Sequence, residues 1–208
     1  MASCEGCYQP DSDGIPIDLF VSKKNPRHRI ITSSGFSLRF TDSSANLVFS
    51  VDPPSIRGSP APPTFIKRLL TDASGNLLIS IAHKQHHKGC VQKAMWQGFR
   101  EDSSEEKDVI FRVERTIKTL TRLEFQVFLP NNKSDLKMRG SPFYRSCTIY
   151  NGDSVLAQTS LMYKLGLQKK LLVPRNRFRL TIFPDGYAHR ALIVALTAIF
   201  FHGRKLWI

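Results

Sequence analysis

Apolar and polar residues alternate over short runs through most of this chain, and turn-forming residues punctuate the runs. Period-two alternation predicts strands over residues 18–23, 36–41, 47–51, 66–71, 77–83, 91–99, 109–115, 123–129, 136–140, 144–150, 155–163, 170–173 and 178–183. That is about thirteen strands by this pattern, and no convincing amphipathic helix interrupts them. The connections are mostly short, which favours antiparallel neighbours in a meander. A weak internal repeat supports this: Thr41-Asp42-Ser43-Ser44-Ala45-Asn46-Leu47 recurs as Thr71-Asp72-Ala73-Ser74-Gly75-Asn76-Leu77. Each copy reads as a polar turn whose Asp, Ser and Asn side chains bond back to the backbone. Asn151-Gly152 is a third hairpin signal. Five prolines across residues 52–64 rule out an interior strand there, and residues 101–108 form an acidic loop.

The pattern changes once, at the end. Residues 191–201, Ala-Leu-Ile-Val-Ala-Leu-Thr-Ala-Ile-Phe-Phe, are apolar on every side. As a helix at ~1.5 Å per residue they cover roughly half of a ~30 Å hydrocarbon core, too little for a transmembrane span. A helix hydrophobic all round must be buried, and the strands are its natural container. The predicted fold is therefore mainly β, a closed antiparallel barrel around one central hydrophobic C-terminal helix. Asp185 is expected as the helix N-cap and Gly203 as its left-handed terminator, while Arg190 near the start runs against the helix dipole. Residues 1–16 read as a flexible tail, 17–203 as the barrel domain and 204–208 as a short basic and apolar tail.

Composition adds one feature. Thirty Lys and Arg against 17 Asp and Glu give a net charge of +13 and a pI near 9.9, a field that favours polyanionic partners such as nucleic acid or an anionic membrane face. No signal peptide is evident, so Cys4, Cys7, Cys90 and Cys147 are expected to be reduced thiols. Ala2 stands where N-myristoylation needs glycine. These features point to the cytoplasm, with a peripheral plasma-membrane or nuclear location as further settings.

Candidate chemistry is sparse. His83, His86, His87 and Cys90 have zinc-like spacing, and Cys4 and Cys7 would complete a ligand set, but interleaved lysines repel a cation. No metal site or cofactor is expected. Cys147 lies within a strand and reads as packing; no nucleophile elbow or phosphate-cradling glycine loop is present. The better candidates are basic: Lys23, Lys24, Arg27 and Arg29 around the first strand, and Lys169, Lys170, Arg175 and Arg177 around the turn at Pro174. Either group suits charge-assisted bonds to phosphates. Aromatic residues are not interleaved with them, which argues against base stacking.

Four segments in order resemble the plant LURP-one-related family. They are Gly35-Phe36-Ser37-Leu38-Arg39-Phe40-Thr41-Asp42 leading to Asn46-Leu47-Val48-Phe49-Ser50-Val51-Asp52; Leu70 to Leu78; Gly140-Ser141-Pro142-Phe143-Tyr144-Arg145-Ser146-Cys147-Thr148-Ile149-Tyr150 with Gly152-Asp153; and Phe178-Arg179-Leu180-Thr181-Ile182-Phe183-Pro184-Asp185 running into the apolar helix. The resemblance implies a domain similar to the tubby C-terminal domain and the phospholipid scramblases, a twelve-stranded barrel threaded by its last helix. It implies no established catalysis, and a connection to membrane-tethered regulation and defence against pathogens. The chain departs from the family pattern at His189 and Arg190, which replace apolar positions, and at its basic exit His202-Gly203-Arg204-Lys205.

These readings converge on a monomeric, non-enzymatic binding or regulatory module, with anionic phosphoinositide head groups as the leading ligand and other proteins as possible partners. The alternatives are a membrane-anchored, scramblase-like lipid-handling protein, for which Arg204 and Lys205 would act as the orientation signal, and a tubby-like regulator that binds DNA.

Overall fold

The computed structural model describes residues 14–24, 37–54, 66–84, 95–100, 105–119, 122–130, 136–141, 146–162 and 177–202, and the structural statements below concern these residues. Twelve antiparallel strands close into one barrel. They are β1 (Ile17–Lys24), β2 (Ser37–Thr41), β3 (Leu47–Asp52), β4 (Ile66–Asp72), β5 (Leu77–Lys84), β6 (Met95–Arg100), β7 (Val109–Lys118), β8 (Leu123–Phe128), β9 (Leu136–Ser141), β10 (Ser146–Asn151), β11 (Ser154–Leu161) and β12 (Arg177–Ile182). Each strand pairs with its sequence neighbours, and β1 pairs with β12, Ile17 opposite Ile182 and Ser22 opposite Arg177. Closure leaves no unpaired strand edge. The expected strand over 170–173 lies outside the described residues; β11 pairs directly with β12.

Alternation sends one set of side chains inward on every strand. Leu19 and Val21, Leu38 and Phe40, Phe111 and Val113, Phe125 and Val127, and Leu180 and Ile182 are all buried. They surround α1 (Arg190–His202), whose residues from Ile193 to Phe201 are buried on every side. Thr197, the one polar residue in that stretch, satisfies its hydroxyl within the helix by donating to the Ile193 carbonyl at 2.8 Å. Near the helix end, Phe200 meets Phe125 edge-on at 6.1 Å and Phe201 lies 4.2 Å from Phe178. The strands are the container that the apolar pattern required.

The internal repeat is one turn used twice. Asp42 accepts from the Asn46 backbone N–H at 2.8 Å and from its Nδ2 at 3.1 Å; Asp72 does the same with Asn76 at 2.8 and 2.9 Å. The left-handed position falls on Ala45 (φ 66°) in the first copy and Gly75 (φ 87°) in the second, and both hairpins shift register one residue before the turn. Gly152 (φ 57°) supplies the same freedom between β10 and β11.

The helix entrance differs from expectation. Asp185 does not cap α1. It sits inside a 3-10 segment, Pro184–His189, which leads directly into the α-helix and is capped by the extended residue Phe183. Pro184 presets the backbone at the first position. The Phe183 N–H bonds the Leu156 carbonyl at 2.9 Å, pinning the entrance to β11. Arg190, unfavourable by dipole, lies over the Tyr187 ring at 5.1 Å. His189 is exposed. Gly203 lies outside the described residues.

Candidate anion-binding end

The meander sorts the connections into two sets. One set lies where α1 enters the barrel; the other lies where α1 ends, joining β1 to β2, β3 to β4, β5 to β6, β7 to β8, β9 to β10 and β11 to β12. In sequence, this second set contains no Asp or Glu. It carries Arg27 and Arg29, Arg57, Lys88 and Lys93, Arg122, Arg145, and Lys164, Lys169, Lys170 and Arg175, with Arg204 and Lys205 following the helix. The set at the helix entrance is the reverse: Asp42, Glu101, Asp102, Glu105, Glu106, Asp108, Asp135, Asp153 and Asp185 face only Lys107 and Lys133. In sequence, the excess of basic residues therefore falls in the connections that follow the odd-numbered strands.

Of the two basic groups singled out in the sequence, Arg27, Arg29, Lys169, Lys170 and Arg175 lie outside the described residues. The strand residues Lys23, Lys24 and Arg177 are brought together by closure. Ser22 pairs with Arg177, and the next residues of β1, Lys23 and Lys24, pair with Leu38 and Ser37 of β2. Arg177 is exposed, whereas Lys23 continues the inward register of Leu19 and Val21 and is half-buried. Two acidic strand residues near this end are already engaged. Asp52 accepts from the Arg39 guanidinium at 2.6 Å and from the Ser50 hydroxyl at 3.0 Å. Burial pushes the Asp52 carboxyl up, but hydrogen bonds from Ser37, Arg39 and Ser50, with the Arg39 charge, outweigh it and hold the group below its ordinary value. Glu124 meets both Arg122 and Arg139 at 3.3 Å.

The inner wall of the same end holds residues that the sequence reading passed over. Arg68 on β4 lies in register with buried Leu70 and is only 5% exposed; His83 on β5 follows Ile79 and Ile81 inward and is 3% exposed. Arg115 on β7 follows Phe111 and Val113, half-buried. His83 pairs across to Trp96, and the two rings lie 4.5 Å apart. The signal was available: a charged residue two positions from a buried aliphatic one, within a strand, faces the core.

Burial lowers the His83 pKa below its ordinary 6.5, and the Arg115 charge lowers it further. Arg68 is also pulled down by burial, with Asp52 opposing. Among the described residues, the charged and aromatic groups on the strands beside His83 include Arg68 from β4, Trp96 from β6 and Arg115 from β7. Because the folded pKa lies below the unfolded one, the unfolded chain takes up this proton first. Stability is therefore complete above about pH 6.5 and falls as pH drops below it, by up to about 1.4 kcal/mol per pH unit. His83→Phe, which keeps an aromatic ring against Trp96, should lose less stability than wild type between pH 7.5 and 5.5 in thermal melts. An identical loss in both proteins would place the titration elsewhere.

His83 faces the barrel interior; His86, His87, Cys90, Cys4 and Cys7 lie outside the described residues. Cys147 is buried, its backbone N–H donating to the Thr159 hydroxyl at 2.8 Å, and burial drives its thiol pKa far up. A thiolate is strongly disfavoured there.

At the opposite end a cleft of about 710 Å³ opens between β1, β3 and the helix entrance, lined by residues that include Ile17, Val48, Phe49 and Tyr187. Its carboxylates are committed within the fold, Asp18 to the Thr181 hydroxyl at 2.5 Å and Asp42 to Asn46.

A closed twelve-strand antiparallel barrel around its own apolar C-terminal helix defines the class of fold. The comparisons make the class specific: a sequence model of the LURP-one-related family matches residues 17–201, and the chain belongs to that family. It is 42% identical over 207 residues to Protein LURP-one-related 7 of Arabidopsis thaliana, covering 98% of this chain and all of that protein. Protein LURP-one-related 15 and Protein LURP1, both of Arabidopsis thaliana, are each 28% identical, over 87% and 88% of this chain and 78% and 82% of their own lengths. Among the described residues no helix is long and apolar enough to cross a membrane.

Proposed function

We propose that this protein is a non-enzymatic regulatory module that docks the basic end of its barrel onto anionic phosphoinositide head groups, peripheral to the membrane. The observation that carries the reading is the acid-free set of connections around the end of α1. A helix C-terminus presents only about half a negative charge, so complementing the macrodipole accounts for a small part of that concentration of cations. An external polyanion accounts for the rest, at about 1 kcal/mol per basic residue near an anionic bilayer. The acidic opposite end orients the approach, because the same field repels it from the surface. Defence against pathogens is the setting that the family resemblance suggests.

The anchor alternative fares worse. Ile193–Phe201 is enclosed by the strands, and inserting it into lipid would empty the barrel of its core. Vesicle sedimentation tests the proposal. The protein should pellet with phosphatidylcholine vesicles carrying phosphatidylinositol bisphosphate and stay soluble with phosphatidylcholine alone. Replacing Lys169 and Lys170 by Gln should weaken binding roughly 30-fold, from about 2 kcal/mol of lost attraction. Equal sedimentation with neutral and anionic vesicles would refute the reading.

A further inference from the structure

We infer that the cleft between β1, β3 and the helix entrance binds a small organic cation, an alkyl- or arylamine whose hydrocarbon body enters the barrel mouth while its ammonium group meets Asp42 at the rim. The inference concerns the opposite end from the docking reading and does not rest on it.

The mouth is open on one side because the helix entrance is held to the other. The Phe183 N–H bonds the Leu156 carbonyl at 2.9 Å, and Gly186 packs so closely that a Cβ built there would stand 2.6 Å from the same oxygen. The 3-10 segment therefore sits against β11, and a space of about 710 Å³ remains beside β1 and β3. That is the size of a small-molecule site, and barrel mouths are among the places where such sites occur. Its floor is the core itself. Ile17 shares the inward register of Leu19 and pairs with buried Ile182; Phe49 shares that of Val51 and pairs with buried Phe40. Leu19 and Val51 are covered, whereas Ile17 and Phe49 are only half-buried. Ile15, 68% exposed, is held at the cleft by its carbonyl, which accepts from the Tyr187 hydroxyl. Apolar surface left open in a concave site is stabilised when hydrocarbon covers it.

The rim selects the sign of the charge. Two carboxylates, Asp18 and Asp42, and one guanidinium, Arg190, line the cleft. Asp18 meets Arg179 at 3.4 Å, and Arg190 lies over the Tyr187 ring. Asp42 has neutral partners only among the described residues, foremost the backbone N–H and Nδ2 of Asn46. Those bonds fix the carboxylate and keep its pKa below the ordinary value, so it is ionised at neutral pH. They use part of a group that offers about four acceptor sites. An ammonium group therefore finds a charged, positioned acceptor, whereas a ligand carboxylate at the same place would meet like charge.

Calorimetric titration of the full chain with phenylbutylamine, phenylbutanol and phenylbutanoate tests this, because the three share one hydrocarbon body. Wild type should bind the amine at least about fivefold tighter than the alcohol, the worth of an exposed ion pair, and the carboxylate weakest. Amine binding should also shift the Val48 methyl resonances in NMR spectra. Asp42→Asn keeps an acceptor for the Asn46 N–H and should erase the preference for the amine while leaving alcohol binding unchanged. Asp72→Asn makes the same change in the matching turn, outside the cleft lining, and should leave all three affinities as in wild type. Wild type that binds none of the three, or binds the alcohol or the carboxylate as tightly as the amine, overturns the inference. So do unmoved Val48 methyls, or an equal loss of amine binding in Asp42→Asn and Asp72→Asn. None of these outcomes touches the vesicle prediction.

Discussion

Leu196→Asp leaves no folded protein. Leu196 is fully buried in α1, between the inward faces of the strands. Removing its side chain alone, as in Leu196→Ala, should cost about 2–5 kcal/mol for lost transfer energy and the cavity left behind. The carboxylate adds the penalty of an ionisable group without a partner in an apolar core, several kcal/mol more. Together these exceed the lower half of the 5–15 kcal/mol that domains typically have to lose. Circular dichroism melts check both: a lowered but cooperative transition for Leu196→Ala, and none for Leu196→Asp. A Leu196→Asp protein melting within a few degrees of wild type would mean that the helix is not enclosed.

Gly140→Ala should be nearly as damaging from a single methyl group. Gly140 lies on β9 in the inward register of Leu136 and Met138, opposite Cys147. A Cβ built there would stand 2.1 Å from the Ser146 carbonyl oxygen, 2.9 Å from the Cys147 Cα and 2.7 Å from the Phe200 ring. Two of those neighbours are backbone and cannot rotate away, so β9 and β10 must separate or the end of α1 must shift. Overpacking of this kind costs about 3 kcal/mol, readable as a fall in the urea midpoint. Gly75→Ala is the contrast: its φ of +87° strains the new side chain, but nothing lies within 4 Å, so the loss should be only about 1 kcal/mol.

The architecture was legible because barrel and helix have different periods. Strands such as residues 37–41 and 123–128 bury every second side chain, and only a buried helix reads as Ala191 to Phe201 does. The helix start was less legible. Asp185 has the residue type of a cap, yet Pro184 and the Phe183–Leu156 bond commit the backbone to a 3-10 turn first. The basic end was half legible. Lys23 and Arg177 lie far apart in the chain and reach neighbouring positions, on opposite faces of the wall, only because β1 closes on β12, which composition does not foretell. Arg68 and Arg115 were overlooked for another reason: each sits in a strand among other basic residues, and the outward neighbours Lys67 and Arg112 disguise the inward position.

The pairing of β1 with β12 carries a consequence for synthesis. The first strand made must wait for the last, and the segment that fills the centre is translated after both. Contacts of such sequence separation make folding slow, so the nascent chain spends nearly the whole of its translation without a native interior. A premature stop codon between the end of β12 and the start of α1 would release a ring with nothing inside it, and quality control, rather than a weakened activity, would decide the fate of such a product.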